Sequence, residues 1–230
     1  MWSFFISRMI VSQCKDLKCT IFLAKIERYE ESPFMTHQAQ LDSRMKVVTG
    51  DRVDMIEILK SEKFDFIFAA GFPWRIPVSD DLTSTTPSFN IHPSALPKYW
   101  GPDPVRNQIL DFIDYFGVSI HIITKSFDAG NVIYNSNIKN NNQMCMYEIL
   151  YKLGIEIIPY VSNIIDQNIF KLKYYYNQKE ENQLLITDYA NTIDINNIPN
   201  KGDKKDIEIL KNRLHGTSNW KERLYQNNSV

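Results

Sequence analysis

Short apolar runs alternate with amphipathic stretches along most of this chain, and that alternation restricts the fold more than any other feature. "CTIFLAKI" (19–26), "KVV" (46–48), "FDFIFAAG" (64–71) and "SFNI" (88–91) are β-rich and apolar, the pattern of strands buried on both faces. Between the second and third lies "DRVDMIEILKSEK" (51–63), in which Asp51 suits a helix cap and Val53, Ile56 and Leu59 form a helical stripe. Strand, helix and strand in that order predict right-handed βαβ units and an α/β domain on a parallel sheet.

The remaining segments fit the same plan. "MWSFFISRMIV" (1–11) is apolar but broken by Arg8 and lacks a small-residue cleavage site, so it reads as a buried amphipathic helix and not a signal peptide. "DPVRNQILDFI" (103–113) carries Val105, Ile109 and Phe112 at helical spacing, with Pro104 in the first turn. "GVSIHIIT" (117–124) and "NVIYNSNI" (131–138) are two strands joined by "KSFDAG". A helix over 146–165 faces Ile149, Leu150, Leu153, Ile157 and Val161 inward. Composition shifts near residue 177, which divides the chain into a main domain (1–177) and a short C-terminal extension (178–230) with one helix at 203–214.

With 230 residues, one hydrophobic core forms without staples. Net charge is −1, and the extension holds eight basic and eight acidic residues, so nothing here clamps a polyanion; no nucleic-acid partner is expected. The three cysteines form no CxxC pair, and free thiols suit a reducing cytoplasm. No uncharged apolar run approaches the roughly 18 residues of a membrane span.

One stretch resists a purely structural account. "SFNIHPSALPKYWGPDP" (88–104) ends a strand with Asn90 and His92 and continues through prolines at 93, 97, 102 and 104. Open α/β sheets bind ligands at the carboxyl ends of their strands. Asp128 follows a second strand, so the three side chains can meet at one sheet edge. Prolines restrict the loop's alternatives and keep those side chains aimed. An amide, an imidazole and a carboxylate suit acyl transfer: His92 and the Asn90 amide would stabilise an oxyanion, and Asp128 would orient or charge His92 and help remove a proton from the nucleophile. No activated Ser or Cys and no G-x-S-x-G is present, so direct transfer fits better than an acyl-enzyme. Taken singly, each residue also fits a structural role, a satisfied histidine after a strand or an aspartate in a turn. His121, in mid-strand, is assigned such a hydrogen-bonded structural role, and no metal-ligand spacing unites it with His37, His92 or His215.

"NIHPSALPKYWGPDP", "GVSIHII" and "FDAGNVI" together resemble the 10-formyltetrahydrofolate-dependent formyltransferases. That family carries an Asn-x-His-Pro-Ser-x-x-Pro loop, a G-V-[ST]-x-H strand and an [LFI]-D-x-G turn, matched here in order and spacing over about residues 64 to 140. The resemblance implies a Rossmann-like three-layer, mostly parallel fold and assigns catalysis to Asn90, His92 and Asp128. It implies a 10-formyltetrahydrofolate pocket along Phe72, Trp74, Arg75, Ile76 and Pro77 and along Lys125, Ser126 and Phe127. It implies no metal, and a homodimer is one arrangement it offers. The family's usual first strand and glycine-rich loop have no counterpart before "WSFFISRMIVSQC" (2–14), so the expected sheet lacks that strand.

The acceptor amine follows from comparison within the family. Methionyl-tRNA formyltransferases add a C-terminal barrel for which the extension has too few strand signals. Glycinamide ribonucleotide formyltransferases rely on the missing phosphate loop. Formyltetrahydrofolate hydrolases carry an additional N-terminal domain. The resemblance is therefore greatest to the nucleotide-sugar N-formyltransferases of surface polysaccharide (O-antigen) synthesis, with a dTDP-4-amino-4,6-dideoxyhexose as the expected acceptor. Tyr99 and Trp100 are candidates to stack on its nucleotide base, with ordinary packing as the alternative. The three other folate activities and a non-catalytic binding protein remain the competing readings.

Overall fold

A computed structural model of the chain describes residues 2–25, 42–77, 86–166 and 213–214. Helix α1 (Trp2–Gln13) leads into strand β1 (Cys19–Ala24), followed by β2 (Met45–Gly50) and α2 (Arg52–Ser61). Then come β3 (Ile67–Ala70), β4 (Ser88–His92), α3 (Pro104–Leu110), β5 (Tyr115–Ile122), β6 (Val132–Lys139) and the long α4 (Met146–Asp166). Asp51 caps α2 as expected: its side chain accepts from Val53 N–H at 2.6 Å and Asp54 N–H at 3.1 Å, while Asp54 accepts from Asp51 N–H at 2.8 Å.

The α/β architecture with parallel units is present. β1 pairs with β2 and β3 with β4, both parallel. In the second half of the sheet β5 reverses direction and pairs antiparallel with both β4 and β6. The connector from β5 to β6 is too short for a crossover helix, and a short connector permits only an antiparallel pair. Among the described residues the sheet is interrupted: β1–β2 is one ladder and β3–β4–β5–β6 another.

Alternation along the strands sorts the core into layers. Phe89 and Ile91 of β4 and Val118, Ile120 and Ile122 of β5 face α1 and α4, where they pack with Ile6, Ile10, Ile149, Leu153, Ile157 and Val161. Leu214 joins this cluster with no exposed surface. On the other face, Ala69 packs with Met55 of α2, Ile76 and Ile123. Phe4 and Val11 of α1 pack with Ile21 and Met45, so α1 underlies both ladders.

Two expected helical faces differ. In α2 the buried residue is Met55, flanked by Ile56 and Leu59, while Val53 is 62% exposed; it sits in the first turn beside the cap, off the face that meets β3. Phe112 is 65% exposed because α3 stops at Leu110 and the chain turns through positive φ (51°) at Phe112, off the helical period of Val105 and Ile109. The expected domain boundary at 177 and most of the 203–214 helix lie outside the described residues; Arg213 and Leu214 are helical and buried. Arg213 Nε donates to the Met144 carbonyl at 3.1 Å, and Arg106 Nε to the Leu214 carbonyl at 3.3 Å.

Candidate active site

The side chains alternating with the core residues of β4 and β5 meet on the opposite face. Register places Asn90 beside His121 and His92 beside Ser119, and side chains directly opposed across an antiparallel pair share a face. Ser119 Oγ anchors the proline-rich loop beneath them, donating to the Ser94 carbonyl at 2.7 Å and accepting from Leu96 N–H at 3.0 Å. Gln108 of α3 ties down the same loop, donating to the Pro93 carbonyl at 2.8 Å and accepting from Gly117 N–H at 3.2 Å. The loop lies so close to β5 that a Cβ on Gly117 would run into the Ala95 backbone.

The loop then returns over the site. Tyr99 and Gly101 have positive φ (57° and 97°), which aims their backbone groups inward. His92 Nε2 donates to the Tyr99 carbonyl at 2.9 Å, and Gly101 N–H donates to Asp128 Oδ2 at 2.8 Å. Asp128 itself is left-handed (φ 53°), a strained state for a side chain other than glycine and one that clusters at functional sites. Two residues on, a Cβ at Gly130 would collide with the Ile122 carbonyl oxygen, so the turn closes tightly on β5.

All three catalytic candidates therefore come together. Asn90 Nδ2 lies 3.0 Å from Asp128 Oδ1, and His92 Nδ1 lies 3.6 Å from the same oxygen. His121 is also in the cluster, its Nε2 3.0 Å from Asn90 Nδ2 and 3.4 Å from Asp128 Oδ1. Burial pushes the His92 imidazole down; Asp128 and the Tyr99 carbonyl oppose this without cancelling it, so the ring is neutral at pH 7. Burial pushes Asp128 up, but hydrogen bonding and charge from His121 and His92, which carry a second proton in the acid range where this carboxyl titrates, and the Gly101 N–H outweigh it and hold the carboxyl at about 2. The site thus combines a fixed carboxylate, a neutral imidazole and an amide in a largely buried cluster.

The two segments expected to line a cofactor pocket also meet. Arg75 places its guanidinium 5.1 Å from the centre of the Phe127 ring, which is half exposed. Phe72 and Trp74 pack edge to face at 5.6 Å, with Phe22 of β1 6.2 Å and 6.4 Å from them. Ile76 is buried in the core and Pro77 half-buried, while Lys125 and Ser126 are exposed and Thr124 Oγ1 donates to the Ser126 carbonyl at 3.1 Å. Trp100 is half-buried. The Tyr99 hydroxyl donates to Asp111 at 2.8 Å, so its ring serves α3 while its carbonyl serves His92.

His121 is the member of the cluster to which sequence reasoning gave only a structural role. A signal existed: with Val118, Ile120 and Ile122 in the core, period-two alternation places 119 and 121 on the face of Asn90 and His92. His37 and His215 lie outside the described residues. Among the described residues no group of three or more His, Cys, Asp or Glu is arranged to hold a metal ion. No described helix is long and apolar enough to cross a membrane.

The family model for formyl transferase matches residues 21–149, more than half of the chain and every element of this site. The chain belongs to the formyl transferase family. Among curated relatives, the methionyl-tRNA formyltransferase of Mycoplasmopsis pulmonis is 34% identical over 98 residues, covering 42% of this chain and 34% of that protein. The Staphylococcus epidermidis methionyl-tRNA formyltransferase is 27% identical over 192 residues, covering 80% of this chain and 57% of its own. The chain thus spans about half the length, or less, of the relatives it matches. In three dimensions, the N-formyltransferase of Helicobacter canadensis, solved with folinic acid and dTDP-3-aminofucose, superposes with a TM-score of 0.59 at 21% identity. The match covers 92% of this chain and 76% of that one, and it establishes the shared formyltransferase fold.

Proposed function

We propose that this protein transfers the formyl group of 10-formyltetrahydrofolate to the primary amine of a nucleotide-linked amino sugar. The observation that carries the reading is the convergence of Asn90, His92 and Asp128 where β4 ends, beside two loops joined by Arg75 and Phe127. The pterin end of the folate would lie against the Phe72–Pro77 and Lys125–Phe127 segments, with its formyl group toward His92.

The chemistry follows from protonation states. His92 Nε2 holds its proton on the Tyr99 carbonyl, so a neutral ring has a bare Nδ1. The amine nitrogen attacks the formyl carbon, the C=O bond becomes a C–O⁻ single bond, and Nδ1 takes the proton released by the amine. Ionised Asp128 steadies the imidazolium, and the imidazolium and the Asn90 amide donate to the oxyanion. The C–N10 bond then breaks, the proton passes to N10, and tetrahydrofolate leaves with a formamide as product.

The Helicobacter fold mate, bound to a folate and a dTDP-amino sugar, supports the sugar acceptor. The curated relatives favour a second reading, formylation of methionyl-tRNA. One assay separates them. The purified chain is mixed with 10-formyltetrahydrofolate and, in parallel, dTDP-4-amino-4,6-dideoxyglucose, dTDP-3-aminofucose, methionyl-tRNA, glycinamide ribonucleotide or no amine, and tetrahydrofolate release is followed. Turnover with a dTDP-amino sugar is expected. Turnover with methionyl-tRNA alone selects the second reading, release without amine indicates hydrolysis, and no turnover together with no folate binding by calorimetry removes the enzyme reading.

A further inference from the structure

His121 is 2% exposed and touches two of the three groups given chemistry above, yet the transfer just described does not use it. Its own hydrogen bonds determine its state. Nδ1 lies 2.9 Å from the Ile122 carbonyl. A carbonyl only accepts, so Nδ1 carries the proton and Nε2 of the neutral ring is bare. A bare nitrogen cannot donate to Asp128 Oδ1 at 3.4 Å, but it can accept from Asn90 Nδ2 at 3.0 Å. The Asn90 amide then has one permitted orientation. Turned over, its oxygen would face the Nε2 lone pair and the Asp128 carboxylate together, three acceptors without a proton among them.

We propose that His121 is a positioning residue that sets the orientation of the Asn90 carboxamide. One N–H of Asn90 stays on His121 Nε2. The other, 3.0 Å from Asp128 Oδ1, is the movable donor, held by the carboxylate at rest and delivered to the oxyanion as it forms. The backbone of β5 thus reaches the reacting group through a relay of Ile122 carbonyl, His121 ring and Asn90 amide. This role rests on the formyl-transfer reading, but the orientation itself does not.

Steady-state kinetics and histidine NMR test it together. Leucine at 121 removes the acceptor and keeps an apolar filling; glutamine can return a carbonyl toward Asn90. With 10-formyltetrahydrofolate and dTDP-4-amino-4,6-dideoxyglucose or dTDP-3-aminofucose, His121→Leu is expected to lower kcat by about tenfold or more with KM for the folate changed less than about twofold. His121→Gln recovers part of the loss. In an Asn90→Ala background His121→Leu has no further effect on kcat, because the group it positions is gone. A packing role alone would instead add its full effect in that background. Independently, ¹⁵N spectra of histidine-labelled wild-type protein at neutral pH should show His121 protonated at Nδ1 only, and the Asn90 side-chain amide protons should change environment in His121→Leu or His121→Gln. Unchanged kcat in His121→Leu, full additivity with Asn90→Ala, or a proton on Nε2 overturns the proposal. If wild type formylates none of these amines, the reading of function falls, and the spectra alone decide the orientation. If His121→Leu does not fold, His121→Gln and the wild-type tautomer carry the test.

Discussion

Asparagine at position 128 is nearly isosteric with aspartate, so it probes charge and hydrogen bonding with little change of shape. Both Asp128 oxygens accept from the protein, Oδ1 from Asn90 and Oδ2 from Gly101. An amide can replace only one of them, and its NH2 then faces a donor in a buried site. The carboxyl titrates at about 2 in the folded chain against an ordinary 3.8. A lowered acid pKa stabilises the fold above the unfolded value and loses that contribution as pH falls toward the folded value. At about 1.36 kcal/mol per unit, the ionised form contributes about 2 kcal/mol at neutral pH, roughly half of it remaining near pH 3. Asp128→Asn is therefore expected to lower the free energy of urea unfolding by about 2 kcal/mol at pH 7. The part of the gap that comes from the Asp128 charge should close as pH falls from about 4 toward about 2. Turnover should fall by at least about 100-fold at pH 7, since the imidazolium loses its counter-charge. Equal stability at pH 7, or a gap that does not narrow in acid, would refute the account of what holds this carboxylate.

Three other substitutions bear on the same architecture. His92→Ala should lower kcat by at least about 100-fold while leaving KM for 10-formyltetrahydrofolate nearly unchanged. Because burial depresses the imidazole, the unfolded chain takes the proton first, and wild-type stability should decline as pH drops below about 6.5, a slope absent from His92→Ala in urea titrations. Gly130→Ala forces its Cβ against the Ile122 carbonyl; a loss of about 1–3 kcal/mol in stability is expected, with displaced Asp128 lowering activity as well. Leu214→Ala opens a void under α3 and α4 and should destabilise by about 2–5 kcal/mol by calorimetry; a loss under about 1 would mean the extension is not part of the core.

The strands of the first half were legible because each is a compact apolar run. The site was legible because an Asn-x-His pair ends one strand and an aspartate follows another. What the sequence left hidden was long-range. The register that opposes Asn90 to His121 depends on how β4 and β5 pair, and one antiparallel neighbour turns a histidine assigned to structure into a partner of the site. The Val53 and Phe112 misplacements have a local origin. A helical stripe marks an apolar face but not which part of it meets a sheet, and the end of α3 falls one residue before the turn that throws Phe112 outward. The roles of Tyr99 and Gly101 were unreadable for another reason: their backbone groups do the contacting, and any side chain could have stood above them.

The break between β1 and β3 has a consequence for how the molecule breathes. Hydrogen bonds carry cooperativity along a ladder, and none links these two edges among the described residues. The β1–β2 pair has its own small cluster of Phe4, Val11, Ile21 and Met45, while β4 and β5 belong to the large one. Such contiguous units open separately. Amides of β1 and β2 should exchange with deuterated solvent through sub-global openings that leave β4 and β5 closed, so the cluster around Asp128 would stay assembled through fluctuations that undo the β1–β2 pair.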